Sequence, residues 1–358
     1  MIFTWMLLLI PVSLALKYFF NVGPIWIFIT SVLAIVPLAE WIRRATEEMA
    51  KRAGRSIGGL LNVTFGNTAE LILALFVLSA GNTEVVKGQI TGSIIGNSLL
   101  GLGLAIIVGT WHRPLLRFNK ARAGLLSTLL ILAVIGLLLP ALFDYTERDI
   151  VSMSSARELD EWLSLGVSAV LIALYIANLI YTLFTHRDVF SSGEEGGEEP
   201  NWSLWKALGI LIAATAATAW DAELVSSALE STAGQLGVSA FFLGVVVLAI
   251  IGNAAEYVAA IYFARKSEMS LVMTITVGST IQVALFMAPL LVIISYFLGD
   301  PMNLVFANLL ELIAIAGVAF AVNAIAEDGE ATWFEGVLLL GIYIMLATAF
   351  FFVTPPGG

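Results

Sequence analysis

One glutamate in the middle of an apolar segment constrains this chain more than any other feature. Glu70 ends the motif Gly-Asn-Thr-Ala-Glu (residues 66–70), which lies within an apolar segment spanning residues 57–80. A charged side chain at the centre of a membrane-spanning helix costs about 2.5–3.5 kcal/mol on insertion scales, so such residues usually have a function. The motif recurs as Gly-Asn-Ala-Ala-Glu at residues 252–256, an offset of 186 residues (252 minus 66). A lone buried glutamate can simply hydrogen-bond two helices together, but the matched second copy favours a functional pair.

The composition is that of an integral membrane protein. The chain has 358 residues, of which 59% are hydrophobic and 12% charged, whereas soluble domains are about 45–50% apolar and about 25% charged. Its many long apolar segments favour membrane-spanning helices over a β-barrel. The net charge of −10 argues against a nucleic-acid partner, and the absence of cysteine excludes disulfides and thiolate metal sites.

Eleven apolar segments are each close to the roughly 20 residues that a membrane-spanning helix needs. They cover residues 2–20, 24–42, 57–80, 88–111, 123–143, 162–185, 203–220, 237–264, 270–298, 302–325 and 331–353. We interpret the first as a retained helix rather than a signal peptide, because a basic region and a clear cleavage site are lacking. A stretch rich in glycine and glutamate, residues 191–200, is typical of a flexible linker and separates six segments from five.

The basic residues are distributed unevenly between the two sets of alternating loops. Thirteen of the seventeen Lys and Arg residues fall in one set, and the other set holds Lys17, Lys87, Arg148 and Arg157. Basic residues favour cytoplasmic loops. We therefore predict that the N-terminus and the acidic linker lie in the cytoplasm and the C-terminus outside, with the cell membrane as the expected location.

The two motifs belong to a longer internal repeat. At the same offset, Gly92-Ser93 falls on Gly278-Ser279 without a gap, so segments three and four correspond to segments eight and nine. The corresponding segments are five apart and therefore run in opposite directions. The sequence thus predicts two inverted five-helix repeats with broken helices at the midplane, an arrangement found in many secondary transporters. The predicted parts are an extra N-terminal helix (1–22), the first repeat (23–186), the acidic linker (187–201) and the second repeat (202–358).

Each motif combines a helix break with oxygen ligands. Gly66 and Gly252, each followed by asparagine, are predicted to break their helices. The carbonyl groups freed at membrane depth must line a cavity or meet an ion. The asparagine and the glutamate of each motif share a helix face, and their oxygen atoms suit Ca²⁺. We therefore predict a metal site formed by Asn67, Glu70, Asn253 and Glu256.

Segments four and nine carry further small and polar residues. We expect Ser93, Ser279 and Gln282 to line the site for ions and protons, although Ser and Thr residues also commonly only pack or cap helices. Gly92 and Gly278 are expected to let a neighbouring backbone approach closely.

Three other acids, Glu40, Glu223 and Glu311, are candidates for a gate or vestibule. For the first two, a solvated helix end is the alternative. His112 and His186 fall in loops, which disfavours a zinc or copper site. No resident cofactor is predicted, and Ca²⁺ is expected as a transported substrate.

The charge of the predicted site favours an exchanger. Two ionised carboxylates in a medium of low dielectric constant repel each other, whereas one Ca²⁺ or two protons would neutralise them. A carrier that moves only when neutralised exchanges Ca²⁺ for H⁺ by alternating access, with both competing for Glu70 and Glu256. The same reasoning admits Na⁺, so a sodium/calcium exchanger is the alternative, and a cation channel is less favoured. The HExxH and GxSxG motifs do not occur, so we do not predict an enzyme.

The residues around both motifs resemble the signatures of the calcium/proton exchangers, the CAX family of the cation/calcium exchanger superfamily. Residues 58–72 and 92–100 are similar to the first signature region, residues 252–256 and 277–286 to the second, and residues 328–336 to the start of the last helix. The resemblance covers about residues 33–353. It implies the same eleven-helix architecture and export of cytosolic Ca²⁺ driven by inward proton movement.

Carried over by position, the resemblance implies that Glu70 and Glu256 are the shared carboxylates for Ca²⁺ and protons, assisted by the motif asparagines. Two positions depart from the family's pattern. Tyr257 replaces a histidine found in many members, and Gly96 lies opposite Gln282 in the repeat. A proton-relay role is therefore not implied for Tyr257.

Overall fold

A computed structural model describes residues 2–20, 22–147, 153–185, 200–306 and 308–353, and these are almost entirely helical. In chain order the helices are α1 Ile2–Met6, α2 Leu9–Tyr18, α3 Pro24–Phe65, α4 Thr68–Ser79, α5 Thr83–Ile95, α6 Leu102–Thr110, α7 Lys120–Glu147, α8 Met153–Ile180, α9 Leu204–Leu236, α10 Ala240–Phe242, α11 Ala249–Gly252, α12 Ala254–Arg265, α13 Met269–Gln282, α14 Ala288–Leu298, α15 Leu309–Ala326 and α16 Trp333–Phe351. Four π-helical stretches continue or connect these helices: π1 Gly96–Gly101, π2 Tyr181–Thr185, π3 Leu243–Leu248 and π4 Val283–Met287. Two short strands, β1 Leu116–Arg117 and β2 Glu330–Ala331, pair antiparallel.

The prediction of an all-helical membrane protein is confirmed. Within the described part of the chain, eight helices are long and apolar enough to cross a bilayer. The pair Ala240–Gly252 and Ala254–Arg265, bent by 51°, would make a ninth span. Two of the predicted segments correspond to shorter apolar helices, Phe3–Tyr18 and Thr68–Ser79. Of the predicted linker (187–201), residues 187–199 lie outside the described residues, as does His186.

The second and third predicted segments are joined by a bent helix rather than by a loop. Helix α3 runs from Pro24 through the basic stretch to Phe65. This stretch contains good helix formers, and charge pairs such as Lys51–Glu48 (3.2 Å) hold successive turns together. A Cβ atom on Gly58 would lie 2.4 Å from the carbonyl oxygen of Ala50, whereas eight residues of straight helix span about 12 Å. The helix therefore bends sharply between these residues, in a stretch that contains Gly54.

The chain forms two compact units, the first of which comprises residues Met1–Asn82 and Ile176–Leu243. In this unit α9 packs along α3 and α4, and the Ser226 hydroxyl donates to the carbonyl of Phe76 at 3.2 Å. Helix α2 packs on α3, and its Ser13 hydroxyl donates to the carboxylate of Asp221 in α9 at 2.7 Å. A buried polar contact therefore joins α2 to α9 within the first unit.

The second unit comprises residues Thr83–Tyr175 and Gly244–Gly358. Helix α6 packs against α12 and α16, and α15 packs against α7. Gly92 of α5 approaches π3 so closely that a Cβ atom on it would lie 1.9 Å from the carbonyl oxygen of Val245. Among the described residues, no such approach occurs at Gly278, where the nearest atom to an added Cβ is Thr274 Cγ2 of its own helix at 4.0 Å. The expectation of a close backbone approach is therefore confirmed for Gly92 and wrong for Gly278.

The loops of the second unit gather at its two ends. At one end, β1 pairs with β2, and the backbone N–H of Asn119 donates to the Ser270 hydroxyl at 3.0 Å. At the other end, the Ser164 hydroxyl accepts from the backbone N–H of Leu304 at 3.0 Å, and the Lys87 ammonium donates to the side chain of Asn303 at 2.9 Å. All loops at the first end come from the set predicted to be cytoplasmic.

Candidate ion-binding site

The first motif lies in the first unit, where it interrupts a helix. Helix α3 ends at Phe65, and α4 begins at Thr68 after Gly66 and Asn67. Asn67 has φ −101° and ψ 23°, outside the helical range, and its carbonyl accepts the backbone N–H of Leu71 at 3.0 Å. Glu70 lies in the first turn of α4 and is 1% exposed. Its carboxylate is therefore close to the positive end of the helix dipole, which favours negative charge.

The second motif, in the second unit, repeats this local geometry. Asn253 lies between α11 and α12 with φ −104° and ψ 11°, which is close to the −101° and 23° of Asn67. Its carbonyl accepts the backbone N–H of Tyr257 at 3.1 Å. Glu256 lies in the first turn of α12 and is half-buried. Each motif therefore places a glutamate in the first turn of a helix that restarts after a break.

A buried amide network surrounds the second motif and contains three predicted site residues. The Asn97 amide donates to Asn253 Oδ1 at 2.9 Å and to the Ser279 hydroxyl at 3.1 Å. The Asn253 amide donates to the Ser93 hydroxyl at 3.0 Å and to the carbonyl of Ala249 at 2.8 Å. The structure thus brings Ser93, Asn253 and Ser279 together, and each side chain in the network is fixed by a neighbouring helix.

Asn97 is the member of this network that sequence analysis did not assign. It is fully buried in π1, and its Oδ1 atom has no hydrogen-bond donor among the described residues. Because both amide hydrogens are directed to Asn253 and Ser279, this oxygen has a fixed direction and suits a hard cation such as Ca²⁺. Comparing the two repeats did not identify Asn97, because the residue that corresponds to it at the offset of 186 residues is the apolar Val283.

Helix α13 supplies the remaining predicted residue of this unit. Gln282 is its last residue, one turn after Ser279, and is 9% exposed. Next to it, the Thr280 and Ser98 hydroxyls are 2.8 Å apart and join α13 to π1.

Glu311, a candidate gate residue, lies at the end of the second unit where Lys87 holds a loop. It is 1% exposed, lies in the first turn of α15 and accepts a hydrogen bond from the Thr91 hydroxyl at 3.0 Å. The Lys87 ammonium donates to the carboxylate of Glu84 at 3.1 Å and to the carbonyl of Val305 at 2.9 Å, in addition to Asn303. Two hydrogens of one buried ammonium thus tie the loop before α15 to α5, and the third is donated to Glu84 of α5 itself.

The two other gate candidates differ in their surroundings. Glu40 is buried in α3 and accepts hydrogen bonds from Arg43 (2.9 and 3.1 Å) and Arg44 (2.5 Å). Glu223 is exposed on α9, whereas Asp221, two residues earlier, is 1% exposed. Sequence analysis missed Asp221, because the seventh predicted segment ends at residue 220, whereas α9 continues to Leu236.

Glu70 and Glu256 belong to different compact units, so a shared site for these two residues stays a prediction.

Comparison with known proteins agrees with the resemblance that the motifs indicate. A family model described as sodium/calcium exchanger protein matches residues 23–184 and 206–352. This chain belongs to the sodium/calcium exchanger family. Its similarity to a Ca²⁺/H⁺ antiporter of Aphanothece halophytica, at 41% identity over 98% of this chain and 96% of the relative, places it in the CAX branch.

Two further relatives support the same branch. The Ca²⁺/H⁺ antiporter ChaA of Bacillus subtilis (strain 168) is 42% identical to this protein, and the match covers 91% of this chain and 92% of ChaA. The solved structure of native YfkE is similar with a TM-score of 0.83 and 36% identity, covering 99% of this chain and 100% of that chain. The CAX family assignment predicted from the motifs is thus confirmed.

Proposed function

We propose that this exchanger is a secondary antiporter that exports cytosolic Ca²⁺ in exchange for H⁺ across a lipid bilayer. The observation that carries this function is its similarity, at 41% identity over nearly the full length of both chains, to a Ca²⁺/H⁺ antiporter. The relatives described above are named for proton coupling, which favours H⁺ over the sodium-coupled alternative and over a channel.

The chemistry of the two motifs supports Ca²⁺ and H⁺ as competing substrates. Glu70 and Glu256 each lie in the first turn of a helix that restarts inside an apolar segment. Ca²⁺ binds through 6–8 oxygen atoms, and the carboxylates, Asn67 and Asn253 with the freed carbonyls, and the neighbouring serines supply such atoms. Either Ca²⁺ or two protons neutralise the carboxylate pair, and the ionised empty pair is too costly to be carried through a closed intermediate.

The transport architecture that we infer is an extra N-terminal helix followed by two inverted five-helix repeats, with eleven spans in total. The matching backbone angles of Asn67 and Asn253 support the repeat. In the second unit, the run from α5 through α6 is parallel to the run from π3 through α12, since Val85 approaches Gly244 near their starts and Gly109 approaches Ala264 near their ends. Segments four and eight are both even-numbered in the predicted order of spans, so they must cross the bilayer in the same direction. The gathering of basic loops at one end supports a cytoplasmic N-terminus and linker.

The test is uptake of ⁴⁵Ca²⁺ into everted membrane vesicles with an imposed pH gradient, measured with and without sodium. The wild-type protein is expected to take up Ca²⁺ when the vesicle interior is acidic, independently of sodium. Glu70→Gln and Glu256→Gln are each expected to lose at least about 99% of this uptake, because an amide cannot carry the exchanged proton or the negative charge. Glu230→Gln, which changes an exposed glutamate of α9, is the matched control. Retained uptake in both motif variants would refute the function.

A further inference from the structure

The residue after the second motif glutamate lies in a cradle made by two glycines. Tyr257 is 6% exposed and packs against π1. A Cβ atom on Gly96 would lie 2.5 Å from the Tyr257 hydroxyl oxygen. A Cβ atom on Gly101 would lie 2.7 Å from Cδ1 and 2.9 Å from Cε1 of the same ring. Both ends of π1 must therefore lack a side chain for this ring to fit.

The cradle connects Glu256 to the buried amide network. Gly96 directly precedes Asn97, whose amide donates to Asn253 and Ser279. On the other side, the backbone N–H of Tyr257 donates to the carbonyl of Asn253 and so closes the first turn of α12. Since Glu256 lies in that turn, the packing of the Tyr257 ring against π1 fixes the position of Glu256 relative to the Asn97 amide.

We propose that Tyr257 is a positioning residue, which holds Glu256 in register with the Asn97 oxygen by filling the glycine cradle of π1. This role rests on the proposed function, because it requires that Glu256 bind the transported ion. It differs from the proton relay of a histidine, since it depends on the shape of the ring and on the space beside it.

This role also accounts for the unequal halves of the repeat. At the offset of 186 residues, Gly96 corresponds to Gln282 and Tyr257 to Leu71. The large residue that follows the second motif, Tyr257, is therefore matched by a glycine in segment four, Gly96. The smaller residue that follows the first motif, Leu71, is matched by a long polar side chain in segment nine, Gln282. Gly96 is required by Tyr257 and has no need to supply a ligand itself.

The test is a double-mutant cycle between positions 96 and 257. Gly96→Ala places a methyl group against the Tyr257 hydroxyl, whereas the next ring atom, Cζ, is 3.7 Å away, an ordinary contact distance. Removing the hydroxyl with Tyr257→Phe therefore removes the clash. We expect Gly96→Ala to raise the KM for Ca²⁺ uptake about tenfold in the wild-type background and less than about twofold in the Tyr257→Phe background. Equal effects in both backgrounds would overturn the proposal.

Gly101→Ala is the matched control, because its clash is with ring carbons that Tyr257→Phe retains. Gly101→Ala is expected to change KM equally in the wild-type and Tyr257→Phe backgrounds. A smaller effect in the Tyr257→Phe background would contradict the proposed contacts between the ring and π1. Tyr257→Leu tests the role without a clash, because it leaves the cradle partly empty. It is expected to raise KM about tenfold with a smaller change in maximal rate, and an unchanged KM would overturn the proposal.

A second measurement separates this inference from the function on which it rests. The thermal stability of the purified protein is measured with and without Ca²⁺ for every variant of the cycle. A wild-type protein that neither transports Ca²⁺ nor is stabilised by it would refute the proposed function. A wild-type protein that does both, combined with purely additive effects at positions 96 and 257, would refute only the role of Tyr257.

Discussion

At the scale of single residues, the polar core of the second unit is organised by the direction of amide groups. Asn97 donates both amide hydrogens to other elements, and Asn253 donates to Ser93 and to the carbonyl of Ala249 four residues earlier. Asn97 Oδ1 is thereby left as an oriented acceptor. An amide that loses this orientation would present oxygen or nitrogen to a cation at random. We therefore expect the network to affect ion affinity as well as helix packing.

This leads to a prediction for Asn97. Asn97→Ala removes the oriented oxygen and the two buried hydrogen bonds that the Asn97 amide donates to Asn253 and Ser279, at a cost of about 1–3 kcal/mol. The KM for Ca²⁺ is expected to rise by roughly tenfold to a hundredfold, as measured by ⁴⁵Ca²⁺ uptake. Ser98→Ala is the control, since it removes a buried hydrogen bond between the same two elements, to Thr280, outside the motif network. If both variants raise KM equally, Asn97 has only a packing role.

Sequence reasoning located the motif residues because glycine, asparagine and glutamate inside an apolar segment are costly and recur. It did not locate Asn97 or Asp221. The repeat gives Asn97 an apolar counterpart, Val283, and Asp221 gains its hydrogen bond from Ser13, which is 208 residues away in the chain. Contacts of that sequence separation leave no local pattern in either helix.

At the scale of helices, composition predicted the apolar segments well but misjudged how two of them are joined. The stretch after residue 42 is polar, which suggests a loop, yet it is rich in helix formers and carries pairs such as Arg44–Glu40 at 2.5 Å. Polarity indicates that a stretch leaves the bilayer, but it does not show that the helix ends there. The chain instead turns by a sharp bend between Ala50 and Gly58.

Helix crossing gives a second prediction, for the two repeat-related glycines. Gly92→Ala places a methyl group on the carbonyl of Val245, a backbone atom that cannot rotate away. We expect it to reduce the yield of folded protein, or the uptake by that protein, at least about tenfold. Gly278→Ala, with only an atom of its own turn at 4.0 Å, is expected to keep more than about half of both. Size-exclusion chromatography and ⁴⁵Ca²⁺ uptake check this, and equal sensitivity of the two positions would contradict it.

At the scale of the whole molecule, the division into compact units does not follow the two halves of the sequence. Each unit combines helices from before and after the acidic linker. Under the proposed repeat, segments two and seven fall in the first unit and segments four, five and nine to eleven in the second, while segment six is divided between the units after Tyr175. Each unit carries one motif glutamate, so the exchange mechanism that we propose depends on both units.

The central claim is that Glu70 and Glu256 meet at one site, and chemical cross-linking tests it most directly. The natural chain has no cysteine, so paired substitutions can be joined by a short bis-maleimide after a protease site has been inserted into the linker. Ser98→Cys/Thr280→Cys, whose hydroxyl oxygens are 2.8 Å apart, is the positive control. Tyr145→Cys/Glu256→Cys, which pairs Glu256 with an exposed position of α7 on the other side of the linker, is the negative control.

After proteolysis, Glu70→Cys/Glu256→Cys is expected to run as one full-length band when treated with the cross-linker and as two fragments without it. The variant lacks both carboxylates and need not bind Ca²⁺ for this result, because cross-linking depends only on the distance between the two positions. Two fragments after cross-linking, in a preparation where the positive control stays intact, would contradict the shared site and with it the exchange mechanism.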